Sequence, residues 1–170
     1  MNTWQAPTNQ QVFYTQTLLS IYSDQKAVAP DAQPRLQALL NGAGLAFSEA
    51  FRCWLNELNT YYKVSDQPVV RDYHTWLASS DTSIPQIQRL INLEKEPDSW
   101  LGVMLRGIEK PARFKVSGAR PERSDSLPGN MIAVSGNDAE VWFWDADTMA
   151  WALKEFKAYL ESVRAEQTEW

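Results

Sequence analysis

Apolar residues recur at a helical spacing through the second quarter of the chain, and this stripe constrains the fold more than any other feature. Its members follow one another at intervals of four or three residues: Leu36, Leu40, Ala43, Phe47, Ala50, Trp54, Leu58 and Tyr61. Such spacing puts them on one face of a helix and predicts one helix over about residues 33–63. Gly42 and Gly44 would then allow a neighbouring helix to approach closely. Because the Asn-Gly step in "NGAG" is typical of a helix end, two shorter helices remain the alternative.

Two more long helices are predicted near the ends of the sequence. Thr8 and Gln11 form a capping-box pair in front of apolar residues at helical spacing, which predicts a helix over about residues 8–25. A last helix is predicted over about residues 146–165. Its inward stripe consists of Met149, Leu153, Phe156, Leu160 and Val163.

Three shorter helices are predicted between the second and the last. Asp66 is placed at the start of the first of them, whose apolar residues are Val70, Tyr73, Trp76 and Leu77. Ser83 and Gln86 form a second capping-box pair, with Pro85 in the first turn. Asp98 is predicted to cap the third, which ends before the proline at position 111.

The helical spacing disappears between about residues 111 and 144, where proline and glycine are frequent. A short β-hairpin from "MIAV" at 131–134 and "EVWFW" at 140–144 is one interpretation of this segment. Residues 117–130 contain one large aliphatic side chain, so we expect them to be mobile in the free protein. The sequence therefore predicts an all-α bundle of five to six helices, residues 1–170 as a single helical domain, with the irregular segment at about 111–144 wrapped on it.

Composition narrows the function classes. The chain has a net charge of −5, a single cysteine and no apolar run long enough to span a bilayer. Its first residues lack the basic and apolar regions of a secretory signal, so we expect a cytoplasmic protein. Six cations and two anions lie between Arg106 and Arg123, which leaves the rest of the chain acidic. An acidic body disfavours nucleic acid, and we expect neither a nucleic-acid partner nor a membrane.

The segment "VWFWDADT" at 141–148 has three interpretations: a catalytic Asp-x-Asp site, an exposed aromatic patch for a partner, or the start of a helix. A phosphatase of the haloacid dehalogenase type needs a parallel sheet after the first aspartate, and only 25 residues follow Asp145. An EF-hand loop needs a glycine where Ala150 stands. The start of a helix accounts for more of the residues in this segment. Asp145 suits the N-cap, and Trp144 and Met149 have the spacing of a hydrophobic staple.

The other candidates for chemistry are isolated in the sequence. His74 is the only histidine and is interpreted as a partly exposed packing residue. Cys53 is interpreted as a small core side chain. The acidic cluster of Glu94, Glu96 and Asp98 suits a solvated corner between helices. We therefore predict no catalytic residues, no metal site and no cofactor.

Three segments carry a resemblance to a family of short bacterial proteins. They are "TNQQVFYTQTLL", "LEKEPDSWLGVML" and "ALKEFKAYLESVRAEQTEW", which cover the start, middle and end of the chain. The family has no assigned activity, so the resemblance implies a bacterial, non-secreted, helical protein and transfers no site residues.

Together these observations predict a non-enzymatic interaction or scaffold protein. Its partner would be an acidic protein, with self-association as the alternative. The predicted contact residues are Arg113, Lys115, Arg120, Arg123, Trp142 and Trp144. The second hypothesis is a small-molecule binder, because 20 aromatic residues could line an apolar pocket between helices. An enzyme ranks third.

Overall fold

A computed structural model describes residues 3–109 and 145–168, and within them the chain forms six helices and no strand. The helices are α1 (Gln5–Val28), α2 (Gln33–Tyr62), α3 (Tyr73–Ala78), α4 (Pro85–Lys95), α5 (Trp100–Glu109) and α6 (Ala146–Thr168). The predicted all-α fold is confirmed. The predicted irregular segment, with its alternative hairpin, lies outside the described residues. None of the described helices has the length and apolar content to cross a membrane.

Helix α2 is the centre of the bundle, and the prediction of one continuous helix is confirmed. It runs through Gly42 and Gly44, and neither glycine has a positive φ. An added Cβ at Gly42 would lie 3.4 Å from Leu18 Cδ1 of α1, so the two helices are close at this point. The helix ends where Lys63 takes a left-handed conformation with φ 49°. Seven of the eight stripe residues are buried, and Tyr61 at the end is exposed.

The predicted start of α1 is wrong. The helix begins at Gln5, so Thr8 lies inside it rather than at its N-cap. Thr8 is fully buried, and its hydroxyl donates to the carbonyl oxygen of Trp4 at 2.9 Å. Thr15 is buried in the same way and donates to Gln11 O at 2.9 Å. Bonds of this kind satisfy a threonine hydroxyl within its own helix, which allows both residues to face the core.

The predicted start of the third helix is also wrong, because residues 63–72 are not helical. Asn56 holds this connector to α2 through both of its amide atoms. Its Nδ2 donates to Val70 O at 2.9 Å, and Val70 N donates to its Oδ1 at 2.7 Å. Asn59 donates in turn to Gln67 O at 2.9 Å. Helix α3 therefore begins only at Tyr73, where the Asp72 carboxylate accepts from Thr75 N at 2.7 Å.

The N-caps of the next two helices lie one residue after the predicted caps. Pro85 stands at the start of α4 as predicted, but Ile84 occupies the N-cap, so the Ser83 capping box is wrong. For α5, Ser99 replaces the predicted Asp98: its hydroxyl accepts from Gly102 N at 3.0 Å. Ser99 supplies a capping hydroxyl to α5, whereas Ile84 makes no side-chain cap hydrogen bond, so α4 begins without the side-chain cap that the pattern predicted.

Helix α6 completes the core, and its predicted inward stripe is confirmed because all five residues are buried. Phe156 lies at the centre of a group of aromatic rings. Its ring centroid is 5.7 Å from that of Trp54 and 5.3 Å from that of Trp100. One cluster of buried side chains contains members from all six helices. The faces of α1 and α6 therefore share one apolar interior.

Candidate functional site

The six predicted partner contacts cannot be placed, because Arg113, Lys115, Arg120, Arg123, Trp142 and Trp144 lie outside the described residues. The candidate site described below lies within residues 3–109 and 145–168.

Asp145 is a helix cap, as the sequence predicts. Its Oδ1 accepts from Thr148 N at 2.8 Å, and its Oδ2 accepts from the Thr148 hydroxyl at 2.6 Å. These hydrogen bonds hold the pKa of the Asp145 carboxyl below its usual value. Both oxygens are thus used by the first turn of α6. Met149 is fully buried at the staple position, while its predicted partner Trp144 lies outside the described residues.

Cys53 and His74 have the positions predicted for them. Cys53 is buried, and desolvation raises the pKa of its thiol, so the thiol behaves as a small core group. Half of the His74 side chain is exposed, and its Nδ1 lies 3.5 Å from Oε1 of Glu94. Tyr73 donates to the other oxygen of Glu94 at 3.0 Å. Among the described residues no group of three or more His, Cys, Asp or Glu side chains could hold a metal ion.

Many of the aromatic side chains pack against one another. Tyr159 illustrates this, since its ring lies 5.6 Å from that of Trp54 and 5.5 Å from that of Trp100. Burial also raises the pKa of the Tyr159 hydroxyl to about 12, so the ring stays neutral in the core. These rings stabilise the bundle through their mutual contacts.

An open groove of about 530 Å³ lies between the first and last helices of the described structure. Two residues of α1 and six of α6 line it: Gln16, Leu19, Ala150, Leu153, Lys154, Lys157, Ala158 and Glu161. Ala150 and Ala158 are short side chains two turns apart on α6, so they leave space beside the larger residues. We name this surface the α1–α6 groove.

Arg164 fixes the helix that forms one wall of this groove. Its Nε and Nη2 donate to the two oxygens of Glu57 on α2, at 2.7 and 2.8 Å. The remaining Nη1 donates to Asn9 Oδ1 on α1 at 2.8 Å. The Glu57 side chain is 3% exposed, so the pair is shielded from water on one side. A single guanidinium thereby joins three helices just beyond the end of the groove.

The charge of the α1–α6 groove comes from α6. Lys154 and Lys157 stand one turn apart at its rim, and neither forms an ion pair with any residue that the structure describes. Glu161 is the one acidic residue in the lining. The lysines surround an aliphatic floor to which Leu19 and Leu153 contribute. Sequence reasoning missed this site, because it assigned α6 only its inward stripe.

The described residues thus define an all-α bundle with an open, lysine-rimmed groove between its first and last helices. The chain belongs to a family of unknown function, DUF6586, whose sequence model matches residues 1–170. The predicted resemblance to a family without an assigned activity is therefore confirmed. No curated protein and no solved structure matches the chain. The bacterial origin and the cytoplasmic location stay predictions.

Proposed function

We propose that this protein is a non-enzymatic interaction module that binds an acidic amphipathic helix of a partner protein in the α1–α6 groove. The observation that carries the proposal is the combination of an aliphatic floor with two lysines that have no ion-pair partner among the described residues. An amphipathic helix presents the complementary surface, apolar on one face and charged beside it.

The length of the groove suits a helix. The lining residues of α6 extend from Ala150 to Glu161, which is about 16 Å or three turns at the rise of an α-helix. A partner helix of similar length places apolar side chains at positions i, i+3 or i+4, and i+7 over such a floor. The groove is open along its side, whereas small-molecule sites bury most of their ligand's surface. This openness favours a partner chain over a small molecule.

The two lysines of the groove favour a partner helix that carries negative charge. An acidic residue beside the apolar stripe of the partner would meet Lys154 or Lys157 without displacing an existing ion pair from either of them. The basic stretch between Arg106 and Arg123 adds attraction for the same acidic partner, so association should be fast at low salt and slower as salt rises. Within this proposal Arg113, Lys115, Arg120 and Arg123 steer the encounter, and the groove holds the bound helix.

The test is a selection from a displayed library of random 16-residue peptides against the whole chain. The same library is counter-selected against the double variant K154E/K157E. Both lysines lie at the surface of α6, so we expect this variant to fold. The peptides that bind only the unaltered protein should carry net negative charge and apolar residues at helical spacing. Their affinities, measured by fluorescence anisotropy, should fall by about tenfold or more in the variant.

The matched control is K63E/K95E, which changes the net charge equally at two exposed lysines outside the groove lining. This control should retain the affinity of the unaltered protein for the selected peptides. Enrichment of basic peptides, or equal binding to K154E/K157E, would refute the proposal. A dimer that K154E/K157E dissociates in sedimentation would also overturn it, because a second copy of the chain would then occupy the groove.

A further inference from the structure

A second concavity, smaller and more enclosed, lies beside α2. Its volume is about 170 Å³, and α2, the start of α3 and α5 form its walls. The lining residues are Ser48, Phe51, Arg52, Leu55, Arg71, Asp72, Tyr73, His74 and Leu105. We name it the α2–α3–α5 cleft.

The floor of this cleft is apolar. Phe51, Leu55 and Leu105 are all buried core residues that present part of their surface to it. An apolar cavity of roughly 150 Å³ is large enough to bind benzene. The α2–α3–α5 cleft therefore has space for one phenyl-sized or isobutyl-sized group, with the remainder of a ligand at its rim.

Two arginines stand at the rim. Arg71 is exposed and forms no ion pair with any residue in the described part of the chain. Arg52 is oriented by Glu49, whose Oε2 accepts from Arg52 Nε at 2.8 Å while Oε1 accepts from Nη2. A guanidinium has five N–H donors, so Arg52 keeps donors beyond those directed at Glu49. Both side chains can therefore donate to an added anionic group.

Three carboxylates near the cleft limit the negative charge that an added anionic group can carry. Asp72 is held ionised, because its hydrogen bonds with Thr75 lower the pKa of its carboxyl. Glu49 partners Arg52, and Glu94 accepts from Tyr73 and lies beside His74. These three carboxylates outnumber the two arginines, and Arg71 is the arginine that forms no ion pair with a described residue. Arg71 can therefore pair with one added carboxylate, whereas a dianion such as phosphate would meet stronger repulsion from the three carboxylates.

We infer that the α2–α3–α5 cleft binds a monocarboxylate attached to one apolar group of phenyl or isobutyl size. Arg71 supplies a bidentate, charge-assisted contact to the carboxylate, with Arg52 beside it, and the Phe51, Leu55 and Leu105 floor takes the apolar group. This chemistry occurs both in small free acids and in the C-terminal residue of a peptide. The inference does not depend on the α1–α6 groove, because the two sites share no lining residue.

The experiment is a titration of the isotope-labelled full chain followed by NMR, with four probes. 3-Phenylpropanoate represents the free acid and N-acetylphenylalanine the peptide C-terminus, and the corresponding amides lack the charge. Both acids should saturate at millimolar concentrations and shift the amide signals of Leu55, Tyr73 and Leu105. The amides should bind about tenfold more weakly, as the loss of one charge-assisted hydrogen bond implies. The acid that binds with the higher affinity shows whether the ligand is a small free acid or the C-terminal residue of a peptide.

The variant R71Q should weaken binding of both acids by about tenfold while leaving the amides unchanged. The matched control is R35Q, which removes an exposed arginine on α2 outside the cleft lining and should bind like the unaltered protein. Arg71 is exposed, so R71Q should keep the native spectrum elsewhere. Equal affinity for acid and amide, shifts confined to other regions, or full binding by R71Q would each overturn the inference.

Discussion

The substitution of glycine by alanine should have opposite effects at two helical positions of this chain. In a helix interior, alanine is favoured over glycine by about 1 kcal/mol, because it restricts the unfolded chain more. That gain should be visible wherever a methyl group fits. Gly42 of α2 is such a position, because the new Cβ would lie 3.4 Å from Leu18 Cδ1, the end of a flexible side chain.

Gly102 of α5 is the contrasting position. A Cβ there would lie 2.7 Å from the carbonyl oxygen of Glu96 and 3.0 Å from that of Pro97. Both are backbone atoms, so the corner between α4 and α5 must shift to make room. Overpacking of this kind costs roughly 1–3 kcal/mol, which exceeds the gain in helix propensity. We expect G42A to be more stable than the unaltered protein by up to about 1 kcal/mol, and G102A to be less stable by about 1–2 kcal/mol.

Urea unfolding followed by circular dichroism at the helical band measures both effects. With a urea slope of about 2 kcal/mol per molar, the midpoints of the two variants should differ by roughly 1 M. The slopes should match that of the unaltered protein, since neither change alters the surface exposed on unfolding. A G102A midpoint equal to or above that of the unaltered protein would refute the argument that backbone proximity requires glycine at this corner.

Three further predictions concern polar contacts. D145A should lower the unfolding free energy by about 1 kcal/mol through loss of the cap on α6, whereas an unchanged urea midpoint would contradict that role. The pKa of the Asp145 carboxyl is lower in the folded state, so its contribution is present above the unfolded pKa and lost as pH falls through the folded pKa. Urea titrations of D145A and the unaltered protein at successively lower pH test this sign. The difference in their unfolding free energies should shrink as the pH falls, and a constant difference would refute the reasoning. R164M should cost about 3 kcal/mol because it leaves the buried Glu57 carboxylate without its guanidinium, and E57L/R164M should recover part of that loss; a double variant less stable than both single variants would contradict this account.

The long helices could be predicted from the sequence because their burial repeats over many turns. The stripe from Leu36 to Leu58 and the stripe from Met149 to Val163 each bury their residues as the spacing indicates. A repeat of this length is not overturned by one local signal, which is why the Asn-Gly step at position 41 does not end α2. The cap at Asp145 was also predictable, since the capping side chain and the spacing of the apolar residues around it indicate the same start for α6.

The short helices could not be placed as well, because their starts depend on contacts between distant residues. Asp66 has a suitable side chain for a cap, but Asn56 binds the backbone of Val70 and keeps the chain non-helical up to Asp72. No local pattern near Asp66 contains that information. The α1–α6 groove was missed for a similar reason: the free space beside Lys154 depends on the neighbouring helix.

The α2–α3–α5 cleft shows the same limit for a site. Arg52 and Arg71 lie 19 positions apart in the sequence, one on a long helix and the other on a connector. They share a rim only because the connector returns along α2. Local spacing alone therefore gives no reason to group them, whereas the folded chain does.

The position of Phe156 has a consequence for synthesis on the ribosome. Trp54 of α2 packs against this ring, which is 102 residues further along the chain. At a translation rate of roughly 5–20 residues per second, the aromatic face of α2 emerges about 5–20 s before α6 can cover it. During that interval Trp54 lacks its later cover, and a nascent chain stalled before residue 145 should bind a chaperone that recognises exposed aromatic segments. Completion of α6 should release it.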